Sequence, residues 1–449
     1  MFRLALATLR YRTGGVTASF VAVFLGATIL MGYAALLDTA LGASGENRKT
    51  LITIASVVGG WGLILIVFAV TSTVTLSVRQ RGPEMALLKN VGATPAQIAR
   101  MIVGETITVA LAGAMLAILP AALAGRLLLT MLARTHQVGP GVVYRFGPAA
   151  LSLGLGITLA AATIAALLAA TRITRMRAAE SAVAVSVGRA RMSTLQIAFA
   201  GFFLTGGLGL GILTAASHGR GYKTMQTAGP ACVLAAIGLA LLGPALIRAI
   251  TAVLAGPLER ATGVSGYLTV LNARQRTGQL ANAVMPIILF TAIAAGTLSM
   301  QNIENRATAA AGLAKSADLK SIQTLNLVVV GMIALFAAIM LTNTLVAATA
   351  HRKREFAQQR LIGATPAQVL ALVSVEAIVL TATGVLFGTI ASALTVVPYS
   401  IARTHKILPE TTIGIYLAVA AIAAAITLAA TLGTARRTIR ASAVQAAAT

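Results

Sequence analysis

Two carboxylates introduce the same six residues. Glu84 stands eight positions before Gly92-Ala93-Thr94-Pro95-Ala96-Gln97, and Glu355 eight before Gly363-Ala364-Thr365-Pro366-Ala367-Gln368. Downstream, Glu105 and Glu376 keep the same offset. The chemistry open to such a set is ionic and mechanical rather than nucleophilic. Pro83 suits the first turn of a helix, where a missing N–H costs nothing, and Glu84 favours the same end through the helix dipole. Met85, Leu88 and Val91 recur every three residues on one face of the short helix that follows, and Gly92 supplies the left-handed residue that ends it. Thr94-Pro95-Ala96-Gln97 then reads as a capping box with proline at the first helical position, so the next helix starts directly after the turn. A short amphipathic helix joined by a rigid elbow to a long one is a lever for a cytoplasmic machine. Geometry alone equally allows an ordinary interfacial elbow.

Other chemistries find little support. Glu105 and Glu376 fall about two turns into apolar runs, where an ionised carboxylate is costly; so close to the elbow, each is expected to pair with Arg100 or an elbow base rather than carry a proton. No acidic residue falls at the middle of an expected span, which argues against a proton- or sodium-driven carrier, although backbone carbonyls at broken helices could serve one. His136, His218, His351 and His405 are scattered without ligand spacing, so no metal site is expected. Cys232 is the single cysteine and reads as a small buried apolar residue, with no disulfide or redox pair to form. Trp61 reads as packing or an interfacial anchor. Without a Gly-x-x-x-x-Gly-Lys-Ser/Thr phosphate loop, the chain is assigned no catalytic residue and no cofactor of its own.

The elements that position these residues lie in a bilayer. Of 449 residues, 57% are hydrophobic and 10% charged, against about 25% charged in soluble domains. Alanine, leucine, valine, isoleucine and glycine supply most of the apolar mass, the usage that lets membrane helices approach closely. The formal charge of +24 does not indicate nucleic acid, because Lys and Arg punctuate apolar runs instead of clustering on a face or tail. Uncharged runs near 16 to 37, 52 to 78, 98 to 131, 147 to 170, 194 to 214, 229 to 255, 282 to 300, 322 to 350, 367 to 398 and 412 to 432 predict about ten transmembrane helices. The first is longer than the roughly 7–15 residues of a signal h-region. With both termini inside, 23 of the 35 basic residues fall in cytoplasmic loops, as the positive-inside rule requires. Pro120, Pro230, Pro244, Pro286 and Pro398 are expected to kink or end helices. The Asn272 to Thr277 stretch, with Arg274 and Arg276, reads as a membrane-surface helix.

The runs form an internal duplication. Arg10-Tyr11-Arg12-Thr13-Gly14 before the first run matches Arg274-Gln275-Arg276-Thr277-Gly278 before the seventh, and Arg177 with Ser181-Ala182-Val183 loosely echoes Arg440 with Ser442-Ala443-Val444. The expectation is an all-α polytopic membrane protein of two parallel four-helix repeats, 1–178 and 263–449, separated by a two-helix insertion, 179–262 (4+2+4). The insertion reads either as a lateral addition or as a linker returning the chain to the cytoplasm.

The pattern Arg-x-x-Glu, a few apolar and basic residues, Gly-Ala-Thr-x-x-Gln and an intramembrane Glu resembles the signature of FtsX/MacB-type ABC transporter permeases. It is carried by Arg81, Glu84, Lys89, Gly92, Thr94, Gln97 and Glu105, and again by Arg352, Glu355, Arg360, Gly363, Thr365, Gln368 and Glu376. The resemblance implies that 81–97 and 352–368 are coupling helices docking on two copies of a cytoplasmic ABC ATPase, which binds the ATP and magnesium. It implies a multi-pass protein of the bacterial cytoplasmic membrane that exports or extracts a hydrophobic or amphipathic compound, such as an antimicrobial peptide, a drug or a lipid. The alternative is an FtsX-like mechanotransducer without net transport, and a third class is an ion-coupled carrier. Family members often carry a large extracytoplasmic domain after the first span of a repeat; the corresponding segments here, 38–51 and 301–321, are short.

Overall fold

The computed structural model describes residues 13–80, 82–134, 138–139, 141–175, 192–217, 222–310, 352–409 and 412–439, with isolated positions between 331 and 345. Among the described residues the chain forms fourteen helices and no strand. They are α1 (Thr13–Leu41), α2 (Gly45–Gln80), α3 (Gly82–Asn90), α4 (Pro95–Leu116), α5 (Ile118–Arg134), α6 (Pro148–Arg175), α7 (Thr194–Ala216), α8 (Tyr222–Leu241), α9 (Gly243–Thr262), α10 (Val264–Gln275), α11 (Thr277–Ala310), α12 (Lys353–Leu361), α13 (Pro366–Thr404) and α14 (Ile413–Ile439). Seven of them are long and apolar enough to cross a membrane, or eight spans if the bent pair α8–α9 counts as one. The expected run at 52 to 78 falls on α2, and that at 322 to 350 lies largely outside the described residues.

Two expected single runs are broken. The run at 98 to 131 divides at Ala117 into α4 and α5. Pro120, three residues on, has no N–H to donate and its ring crowds the carbonyl of Leu116. The run at 229 to 255 bends by 72° between α8 and α9, where Gly243-Pro244 opens the second helix. Pro230, Pro286 and Pro398, by contrast, stand inside continuous helices.

The helices fall into two compact units, α1–α6 and α7–α14. In the first, α1 packs against α2, α4, α5 and α6. Its far end is fastened by Asp38, 4% exposed, whose carboxylate accepts the Gly147 N–H (3.0 Å), the Ala149 N–H (3.0 Å) and the Ala150 N–H (2.8 Å) at the start of α6. A carboxylate suits that position because it satisfies orphan donors and opposes the helix dipole. Asp38→Ala is expected to cost about 1–3 kcal/mol, the penalty for stranding buried donors. A thermal unfolding midpoint in detergent unchanged from wild type would contradict the assignment.

In the second unit, α11 and α13 pack along their lengths, α8 packs on both, and α7 packs on α8 and α13. A β-carbon on Gly207 would lie 2.9 Å from the Ala231 carbonyl, and one on Gly211 3.1 Å from the Leu394 carbonyl, so these helices meet backbone to backbone. Thr395 Oγ1 donates to the Ala228 carbonyl at 2.7 Å. The central helices α7 and α8 are therefore packed against the core of this unit. Cys232 is buried there, as its composition suggested, with Sγ 3.7 Å from the Ala292 carbonyl. Of the 34 residues of α11, 23 are buried, against 4 of 23 in α7 and 7 of 27 in α14, which places α11 at the centre of the unit and leaves apolar faces of the other two exposed. On α10, Val264, Tyr267, Leu271 and Arg274 are exposed, whereas Thr269, Val270, Asn272 and Ala273 are buried.

The crossings repeat from one unit to the other. Val23 of α1 meets Gly113 of α4 as Ile287 of α11 meets Gly384 of α13, and Gly32 meets α5 near Ala121 as Gly296 meets Ser392. These pairs keep the offsets set by Arg12/Arg276 and Glu84/Glu355.

Candidate functional site

Each elbow is a self-satisfied turn. After α3, the N–H of Gly92 donates to the Lys89 carbonyl (3.0 Å) and that of Ala93 to the Leu88 carbonyl (2.9 Å). After α12, Gly363 donates to Arg360 (3.1 Å) and Ala364 to Gln359 (2.9 Å). Both are Schellman endings, and they require the left-handed glycine, at φ 95° in Gly92 and 108° in Gly363. The capping boxes follow. The Thr94 N–H donates to Gln97 Oε1 (2.9 Å) and the Gln97 N–H to Thr94 Oγ1 (3.3 Å), with the same bonds at 2.8 and 3.3 Å between Thr365 and Gln368. The sequence reading of both turns is thus realised bond for bond.

Each short helix has an inner anchor and an outer tip. Met85 and Phe356, at corresponding positions, are both 1% exposed, whereas Val91 and Ile362, six residues later, are both 87% exposed. The expected face of Met85, Leu88 and Val91 is therefore no uniformly packed stripe: Met85 is buried, and exposure rises through Leu88 to the tip. The helix is anchored at its base and its end projects outward. Phe356 packs with Val369, Val373, Ala435 and Ile439, and Arg360 Nη1 donates to the Ile439 carbonyl at 2.9 Å, joining α12 to α14.

Charge ties the second elbow to the long helices. Arg352, 7% exposed, places Nη1 2.5 Å from Glu376 Oε2 and Nε 3.4 Å from Glu355 Oε2, with its guanidinium 4.9 Å above the Phe356 ring. Arg276, between α10 and α11, forms an ion pair with the same Glu355 oxygen. Burial opposes the charge of Arg352, but Glu376 and Glu355 outweigh it, so its pKa is raised further. Arg276, Glu355, Arg352 and Glu376 form one chain of alternating charge from the start of α11 through α12 into α13. Of the partners expected for the intramembrane carboxylate, an elbow base is the one Glu376 takes.

In the first repeat, Glu105 is likewise buried, at 8% exposure. Arg81 and the Glu84 side chain lie outside the described residues, as do His136, His218 and His351 and the echo of Arg177 by Arg440. Lys89 is partly exposed on α3.

The family model for the FtsX-like permease C-terminal region matches residues 56–178 and, a second time, 327–443, together more than half of the chain. The chain belongs to the FtsX-like permease family. Each match contains one complete elbow, so this FtsX-like permease carries the family region twice. Membership makes it a multi-pass membrane protein of a generally non-catalytic kind, consistent with an ABC transporter permease, and implies an ATPase partner. No curated protein sequence matches the chain.

Sequence reasoning missed a second buried cluster at the far end of α11 and α13. Glu304, 3% exposed, accepts hydrogen bonds from Tyr399 Oη (2.7 Å) and from Arg403 Nε (2.8 Å) and Nη2 (3.2 Å). Residues 301–321 read as a short outer segment, yet α11 continues to Ala310. The available signal was Tyr399 and Arg403 at i, i+4 on a helix face, which pointed to a partner without naming it.

Proposed function

We infer that the chain is the permease subunit of an ABC-type transporter in which α3 and α12 are the coupling helices, each docking on one copy of a cytoplasmic ATPase that holds the ATP and magnesium. The observation carrying this reading is the pair of tips. At matching positions of two repeats, an anchored short helix ends in a rigid turn and projects a β-branched side chain, Val91 or Ile362, that is 87% exposed. Two projecting ends at equivalent positions suit a partner with two equivalent sockets. The bonds of Glu376 to Arg352 support a structural charge over an ion-coupled carrier. The ten spans of this reading are α1, α2, α4–α5, α6, α7, α8–α9, α11, the segment near 322 to 350, α13 and α14, in the bacterial cytoplasmic membrane with both termini and both elbows inside.

The transported compound is hydrophobic or amphipathic, moved outward or extracted from the bilayer. Supporting this, α1 ends at Leu41 and α2 starts at Gly45, a connection too short for a folded extracytoplasmic domain to hold a protein partner. Val91→Glu with Ile362→Glu tests the docking. Neither side chain contributes to the core, so the variant should insert and purify as wild type while its retention of the candidate ATPase falls about 30-fold or more, as for loss of a desolvated hot spot. Undiminished co-purification of an active ATPase with the double variant would refute the assignment of the tips.

A further inference from the structure

The two repeats carry the same crossings but different backbones. In the first, the helix after the elbow is interrupted at Ala117, where Pro120 denies the Leu116 carbonyl its donor. Leu119 and Leu123 beside the break are 77% and 69% exposed. In the second, the position of Pro120 is taken by Ala391, and α13 runs unbroken for 39 residues.

The proline that α13 does contain is braced. Pro398 leaves the Leu394 carbonyl without its helical donor, and α7 closes on that point: a β-carbon on Gly211 would lie 3.1 Å from the carbonyl and 3.4 Å from the Pro398 ring. The next turn is pinned to α11 by Tyr399, Arg403 and the buried Glu304. At the same offsets the first repeat has Ala40, Leu128 and Leu132, which can form no such pin. A buried pair of this kind, with three hydrogen bonds on one carboxylate, holds two helices in a single register.

We propose that the second repeat is the rigid arm of this permease and the first the hinged arm, with the hinge at Ala117. Driven at their elbows, the two arms respond differently: α13 transmits the displacement along its whole length, whereas α4 and α5 change their angle. This last consequence rests on the proposed docking of an ATPase; the difference in rigidity does not.

Hydrogen–deuterium exchange on the whole chain in phosphatidylcholine–phosphatidylglycerol nanodiscs tests it without a partner. Amides at 116–124 are expected to exchange about tenfold or more faster than those at 387–395, since local opening follows the broken ladder. Pro120→Ala should abolish the difference, and Glu304→Gln should speed exchange at 396–404 while leaving 116–124 unchanged. Equal rates in the wild type, or a slower first repeat, would overturn the proposal. If the candidate ATPase is then added with ATP and vanadate, changes concentrated at 112–134 support the hinged arm, and equal or larger changes at 384–404 contradict it. Should no ATPase associate, the permease reading falls while the exchange contrast still decides the rigidity of the arms.

Discussion

Arg352→Ala is expected to remove about 3–5 kcal/mol of stability, because breaking a buried pair strands a charge in low dielectric. The guanidinium meets Glu376 at 2.5 Å, and both side chains are under 10% exposed. Without it, the Glu376 carboxylate stays in place, about two turns into α13, with its neutralising partner gone. The stacking over Phe356 and the link to Glu355 are lost together with the pair. The double variant Arg352→Ala/Glu376→Gln should recover much of the loss, since it removes the uncompensated charge along with the contact. Thermal unfolding in a mild detergent reads both, and equal midpoints for Arg352→Ala and wild type would show that the charge chain contributes nothing.

Gly388→Leu is the second large effect. A β-carbon at this position would lie 2.5 Å from Thr291 Cβ and 2.9 Å from the Ile288 carbonyl, a backbone atom that cannot swing away. α11 and α13 would have to separate along their shared face, and overpacking of this kind costs about 3 kcal/mol or occasionally more. The expected result is loss of the monodisperse peak in size-exclusion chromatography. Gly433→Ala is the control, because nothing lies within 4 Å of its β-position, and replacing a mid-helix glycine there gains up to about 1 kcal/mol. A folded Gly388→Leu protein would mean that the two helices are not held at backbone contact.

The elbows were legible in the sequence because every group that shapes them is local. Gly92, Thr94 and Gln97 determine the turn through bonds spanning at most five residues, and the same holds for Gly363, Thr365 and Gln368. Periodicity likewise found most apolar helices, since an all-round apolar run needs no knowledge of its neighbours. What stayed hidden depends on distant chain. Asp38 meets α6 more than a hundred positions later, and Glu304 meets Tyr399 and Arg403 across 95 and 99. The break at Ala117 was half legible: Leu, Ala and Ile continue on both sides of it, so hydropathy sees one run where the hydrogen-bond ladder has two, and only Pro120 signalled an interruption. The partner of Glu376 was narrowed by chemistry to a nearby base, but only the packing of α12 selected Arg352 over its neighbours.

The Schellman and capping-box bonds of each elbow are closed within the turn, with no donor or acceptor borrowed from elsewhere in the chain. Such a turn is portable. Residues 82–97 and 353–368 are therefore expected to be exchangeable without re-engineering the turn, provided that the anchor at Met85 or Phe356 and, in the second elbow, the bonds of Glu355 to Arg276 and Arg352 and of Arg360 to the Ile439 carbonyl are kept. A chain bearing two copies of one elbow, or the two transposed, would separate what the turn itself specifies from what its position in the chain specifies, a distinction that point substitutions cannot draw.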